Sequence, residues 1–155
     1  MKIDKILCPT DFSAASQRAL SDAMALAALV DARIKVVHVF QRPIGVSVET
    51  APVTMEAATA FLAEAQKEAR RALDALHEEW SDKGVELEVA LLEGAPHAAI
   101  VEESKYASMI VMATHGRSGL QRFLLGSVAE RVVRMAHCPV LCLPMTETEK
   151  EESDL

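Results

Sequence analysis

Aromatic side chains are scarce in this chain: they make up 4% of its 155 residues. That scarcity argues against a platform on which the bases of a single-stranded nucleic acid would stack. Positive charge is also short, with 16 Lys and Arg against 23 Asp and Glu and a formal net charge of −7. Nucleic acid is therefore not an expected partner, and any anionic ligand must be attracted by local geometry rather than by the field of the whole molecule. No window approaches the about 20 consecutive apolar residues that span a bilayer. The first apolar segment is interrupted by Asp4, Lys5 and Asp11, which does not fit a secretory leader. The three cysteines, Cys8, Cys138 and Cys142, are an odd set within apolar runs. They read as buried thiols of a reducing compartment, so a cytoplasmic protein is expected. A zinc site is not, because Cys138 and Cys142 have no second close pair and the histidines are scattered.

What the chain has in quantity is aliphatic residues: half of it is apolar, dominated by Ala, Val, Leu and Ile. A single domain of this length buries roughly 68–70% of the surface of its unfolded chain, and this composition suits helices packed tightly against a parallel sheet. The expected domain is 1–145. In the remaining 146–155, five carboxylates (Glu147, Glu149, Glu151, Glu152, Asp154) face the single Lys150, and a frayed, solvated, disordered tail is expected.

Periodicity orders the rest. Lys5 to Pro9 reads as a strand, with Ser13 as the N-cap of a helix running to Val30 and Asp31 at its far end. The nearly continuous β-branched run Ile34 to Phe40 reads as a strand covered on both faces. Gln41 to Thr54 has no helical period and reads as a loop. Leu62, Ala65, Ala69, Leu73, Leu76 and Trp80 recur three or four apart, which predicts an amphipathic helix stopped by Gly84. Val85 to Leu92 forms a third strand broken by Gly94, and Pro96 opens a helix to about Tyr106. Met109 to Ala113 is the fourth strand. After a glycine-bearing loop, Ser127-Val128-Ala129-Glu130 fits a capping box opening a helix to about His137. Pro139 to Pro144 is the last strand. Five strands alternating with four helices imply one doubly wound α/β domain with a parallel sheet and right-handed crossovers.

In such a sheet, ligands sit beyond the carboxyl ends of the strands, where helix N-termini present unpaired N–H groups. Two segments qualify: Pro9-Thr10-Asp11, and Ala113 to Ser127. In the second, Gly116 and Gly119 let the backbone bend close to a ligand, Gly126-Ser127 places bare amides at a helix start, and Arg117 and Arg122 add positive charge. This outlines a phosphate cradle, although glycines before a helix also occur where nothing binds, Ser127 serves equally as a simple cap, and Glu130 opposes an anion. Both the GxxxxGK[ST] and the GxGxxG phosphate-binding patterns are absent. Asp11 fits either a turn residue or a ligand for a diol. His38, inside a strand, reads as a hydrogen-bonded core group, Cys8 as a packed thiol, and His77, His97 and His137 as surface or helix-end residues.

Ile6 to Ser13, Val111 to Leu120, Leu125 to Val132 and Cys138 to Leu141 together resemble the universal stress protein family along nearly the whole chain. The ATP-binding branch of that family carries G-x2-G-x9-G-[ST]; here Ala113 replaces the first glycine, followed by Gly116, Gly126 and Ser127. The resemblance implies a Rossmann-like sheet of order 3-2-1-4-5, similar to the adenine nucleotide alpha hydrolases, and ATP as ligand, with Mg2+ or Mn2+ bridging its phosphates. It implies that Asp11 binds the ribose hydroxyls beside Pro9 and Thr10, and that Val39 offers its backbone to adenine. Met112 and Ala113 would line the base and ribose side. His115, Gly116, Arg117, Gly126, Ser127 and Val128 would surround the phosphates. The resemblance further implies a regulatory homodimer joined through Val140, Leu141, Cys142 and Leu143, acting on a protein partner, with at most slow hydrolysis or autophosphorylation. The apolar last strand, expected at a sheet edge, independently favours pairing. The alternative is an interaction module of the branch that binds no nucleotide.

Overall fold

Each apolar run between turn signals is a strand in the computed structural model, which describes residues 2–42, 55–115, 125–144 and 146. The order is β1 (Lys5–Pro9), α1 (Ala14–Val30), β2 (Arg33–Phe40), α2 (Met55–Trp80), β3 (Leu87–Glu93), α3 (Pro96–Ser104), β4 (Met109–Ala113), α4 (Ser127–Met135) and β5 (Val140–Leu143). The strands form one sheet of order β3-β2-β1-β4-β5, and every pairing is parallel. This is the expected architecture. Of the loop expected over 41–54 only Gln41 and Arg42 lie among the described residues, and of the acidic segment only Thr146.

Strand alternation divides the core into two layers. Ile6 and Cys8 of β1 point with Ile34 and Val36 toward α1 and α2, where Leu20, Met24, Leu73 and Leu76 cover them. Leu7, Val37, Ile110 and Met112 point the other way, against Ile100 of α3 and Ala129 and Val132 of α4. The chain moves outward from β1 through β2 to β3, then returns to the far side of β1 for β4 and β5. The order therefore reverses between β1 and β4, and their carboxyl ends open a crevice. At the opposite end of the sheet, Lys35 Nζ lies 2.9 Å from Glu103 of α3 and 3.4 Å from Glu88 of β3, fastening α3 to the sheet below the crevice.

The local signals act largely as the sequence predicts. Ser13 caps α1, its Oγ accepting from the Ser16 amide at 3.2 Å, and Asp31 ends that helix in the left-handed region at φ 56°. Pro96 occupies the first turn of α3, and Gly94 breaks β3 at φ 123°. Two expectations need correction. Helix α2 stops at Trp80, four residues before Gly84, which instead supplies the positive φ of the following turn. Ser127 is not a cap: Gly126 is the N-cap residue of α4, no side chain among the described residues caps that helix, and the Glu130 carboxylate lies 3.6 Å from Arg134 rather than reaching back. The boundary lies one residue earlier than a capping box requires, and the Gly126 amide donates to the Thr114 carbonyl at 2.7 Å.

Cys8 is fully buried, and desolvation pushes its thiol up to about 12. The unfolded thiol ionises near pH 8.5. A raised folded value means that this contribution to stability is intact below about pH 8.5 and is lost as pH rises toward 12, by up to about 1.4 kcal/mol per pH unit. Cys8 is accordingly expected to resist a thiol reagent in the native protein at pH 8 and to react only on unfolding. Titration with and without denaturant checks this; equal thiol counts in both states refute it.

Candidate functional site

A cavity of about 290 Å³ opens at the crevice between β1 and β4. Its β1 wall begins with Thr10, 6% exposed, whose polar groups are all engaged. The Thr10 amide donates to the Val37 carbonyl at 2.9 Å. Its Oγ1 accepts from the Phe12 amide at 3.1 Å. Ser16 Oγ donates its one proton to the Ser13 carbonyl at 2.9 Å, so the 3.1 Å contact between the two hydroxyls runs from Thr10 to Ser16. The Thr10 carbonyl lies 2.8 Å from His38 Nδ1; a carbonyl only accepts, so that nitrogen carries the proton.

Asp11 follows in a turn that forces Phe12 to φ 63°, an uncommon region for an aromatic residue. Asp11 Oδ1 accepts from the Ser13 amide at 3.0 Å and from Ser13 Oγ at 2.5 Å. The turn reading of Asp11 is realised, since it organises the turn before α1, and its side chain also lines the cavity.

The two flanking strands contribute main chain. In β2, the amides of Ile34 and Arg33 donate to opposite sides, to Glu86 and Asp4. Alternation then directs the N–H and C=O of Val37 and Val39 toward β1. The β1–β2 pairing ends at Pro9 and Val37, so Val39 presents its peptide groups to the space that β1 has vacated. Likewise Ile110 and Thr114 bond toward β5, which turns Ala113 toward β1, beyond the last β1–β4 pair at Leu7 and Ile110. Ala113 ends a regular strand and is not among the described residues with positive φ. Its methyl group lies on the Val111 face, opposite the Met112 face that lines the apolar wall. Alanine here neither strains the backbone nor intrudes on that wall.

The fourth wall is the start of α4. The first intrahelical bond runs from the Glu130 amide to the Gly126 carbonyl at 2.9 Å. The amides of Ser127, Val128 and Ala129 take no acceptor among the described residues, and they carry the positive end of the helix dipole to the cavity. Gly126 itself is not a bare amide, contrary to the sequence reading, because Thr114 occupies it. His115 adds a polar ring, its Nδ1 3.0 Å from Thr114 Oγ1.

The structure thus brings Pro9, Thr10, Asp11, Val39, Met112, Ala113, His115, Gly126, Ser127 and Val128 around one cavity. Gly116 and Arg117, also expected there, lie outside the described residues, as do Gly119 and Arg122. Sequence reasoning missed Ser16, Val37, His38, Pro96, Ile100, Thr114 and Ala129, which also line it. Val37 is recoverable from the parity of Val39, and Pro96 from its position after a strand; Ile100 and Ala129 depend on how α3 and α4 meet. Among the described residues no three His, Cys, Asp or Glu side chains come together. No helix of the described residues is long and apolar enough to cross a membrane.

A model of the universal stress protein family matches residues 2–144. Universal stress protein MJ0531 of Methanocaldococcus jannaschii is 40% identical over 149 residues, covering 94% of this chain and 84% of the relative. The solved structure of MJ0577, from the same organism, superimposes with a TM-score of 0.81 at 29% identity, covering 95% of this chain and 99% of the other. A universal stress protein from Archaeoglobus fulgidus, solved in complex with dAMP, superimposes with a TM-score of 0.60 at 26% identity, covering 92% and 98%.

Proposed function

From the membership of this chain in the universal stress protein family, we propose that its crevice binds an adenine nucleotide, ATP in particular, as a regulatory ligand. The observation that carries this reading is the facing pair of open strand edges at Val39 and Ala113, closed on one side by Asp11 and on the other by the amides of Ser127, Val128 and Ala129. Peptide groups at Val39 suit the hydrogen-bonding edge of a purine, and the apolar wall of Val37, Met112 and Ile100 suits its faces. A carboxylate at Asp11 suits the ribose diol, and three amides at a helix start that take no acceptor among the described residues suit a phosphate group. His115, Gly116 and Arg117 are assigned to the phosphates in this reading. Mg2+ or Mn2+, when bound with the nucleotide, would offset phosphate charge.

Isothermal titration with ATP tests the reading. The wild type is expected to bind in the micromolar range. Asp11→Ala is expected to weaken binding by about tenfold to a hundredfold, the loss of hydrogen bonds to a charged group. Ala113→Gly is expected to change the affinity less than about threefold, because the relevant groups at that position are main chain. Millimolar binding that ignores Asp11→Ala overturns the proposal.

The same reading includes a homodimer. β5 is an edge strand with Leu141 41% exposed, and α4, which packs on it, exposes Val133 and Met135. An apolar edge of this kind pairs readily with its own copy. Light scattering is expected to give a dimer for the wild type and a monomer for Leu141→Asp; a wild-type monomer at micromolar concentration refutes the assembly.

A further inference from the structure

Half of β2 is aliphatic, yet His38 stands between Val37 and Val39 near its carboxyl end. Alternation sends this ring to the α1 side of the sheet, away from the apolar wall of the cavity, so it lies beneath the turn that carries Asp11. Two contacts tie it there. Its Nδ1–H donates to the Thr10 carbonyl at 2.8 Å, and its ring centroid lies 4.5 Å from that of Phe12 at a tilt of 38°. The carbonyl it holds belongs to the peptide unit that joins Thr10 to Asp11. Fixing that plane fixes the backbone from which the Asp11 carboxylate projects. The second contact holds the residue on the other side of Asp11, Phe12, in the left-handed conformation at φ 63°, which persists only where surrounding contacts impose it.

We propose that His38 is the positioning residue of this site, clamping the residues before and after Asp11 so that its carboxylate is set toward the ligand. This rests on the nucleotide-binding reading above. His38 also lines the cavity; the role assigned to it here runs through Asp11, and the two contacts are separable by substitution. His38→Phe keeps a ring against Phe12 and removes the donor, leaving a buried carbonyl without its partner. His38→Asn removes the ring and keeps an N–H near the position of Nδ1.

A double-mutant cycle with ATP tests the proposal. His38→Phe is expected to weaken binding about tenfold, as an unpaired buried carbonyl allows the turn to move, and His38→Asn is expected to recover most of that loss. In the Asp11→Ala background, His38→Phe is expected to change affinity less than about twofold, since the group it positions is gone. Equal fold-losses in the two backgrounds overturn the proposal. Two readouts need no nucleotide: nitrogen NMR of neutral His38 is expected to find the proton on Nδ1, and exchange of the Ser13 amide, which donates to Asp11, is expected to quicken about tenfold in His38→Phe. A proton on Nε2, or unchanged Ser13 exchange, overturns the clamp. Absence of ATP binding by the wild type, with these two results as expected, places the failure in the nucleotide reading instead.

Discussion

Replacing Gly126 by valine is expected to weaken ATP binding by about a hundredfold while the protein still folds cooperatively. The glycine is not there for a left-handed conformation, since its backbone is extended at φ −67° and ψ 158°. It is there for proximity. A Cβ at this position would lie 3.0 Å from the Thr114 carbonyl oxygen and 3.7 Å from His115 Cα, and both neighbours are main chain that cannot rotate aside. The 2.7 Å bond from the Gly126 amide to that same carbonyl closes the neck between the end of β4 and the start of α4. One methyl group would force the neck open by a few tenths of an ångström; the two branches of valine would force it further. The displaced groups are the amides of Ser127, Val128 and Ala129, which must keep their register with Val39 and Ala113 across the cavity. A misplacement of about 1 Å costs on the order of a hundredfold where several groups must converge. Alanine is expected to cost about tenfold. Titration calorimetry beside a thermal melt separates this from unfolding: wild-type affinity in Gly126→Val would mean that the neck does not set the position of the amides.

The largest expected loss of stability comes from Ile110→Ala. Ile110 is wholly buried in β4, between β1 and β5, in the layer that Leu7, Ile100 and Val132 complete. Its neighbours belong to strands and helices fixed on every side, so the space left by truncation has little freedom to collapse. Truncations of this kind cost about 2 to 5 kcal/mol, combining lost burial with the residual cavity. For a chain of this length that corresponds to a fall in melting temperature of about 5 to 20 °C. Denaturant unfolding is expected to give a lower midpoint with an unchanged slope. A loss below about 1 kcal/mol would mean that this layer repacks freely and that the sheet is not held as described.

Much of this architecture is legible in the residues. The run from Ile34 to Phe40 can only be a strand covered on both faces, and prolines and glycines mark where strands and helices meet. Once the strands alternate with helices, the parallel sheet follows, and the position of the crevice follows from the sheet. The site is legible where a short segment makes it, as at Pro9 to Asp11. It is less legible where it depends on what a distant segment contributes. Nothing near Ser127 reveals that the Thr114 carbonyl claims the preceding amide, or that α4 starts one residue earlier than the capping box requires. Nor does the sequence around His38 indicate a bond to Thr10, 28 positions earlier. Ile100 and Ala129 enter the cavity only because α3 and α4 cross the same face of the sheet, a fact of tertiary packing that no local pattern encodes.

The openings at Val39 and Ala113 also bear on how ligand choice is inscribed in this chain. Peptide groups are common to every residue except proline, so two of the four walls would do their recognising in a vocabulary that spelling cannot alter. Substitutions there would leave the ligand in place as long as the path of the strand survives, and comparison of side chains alone would underestimate which chains of this fold retain the pocket.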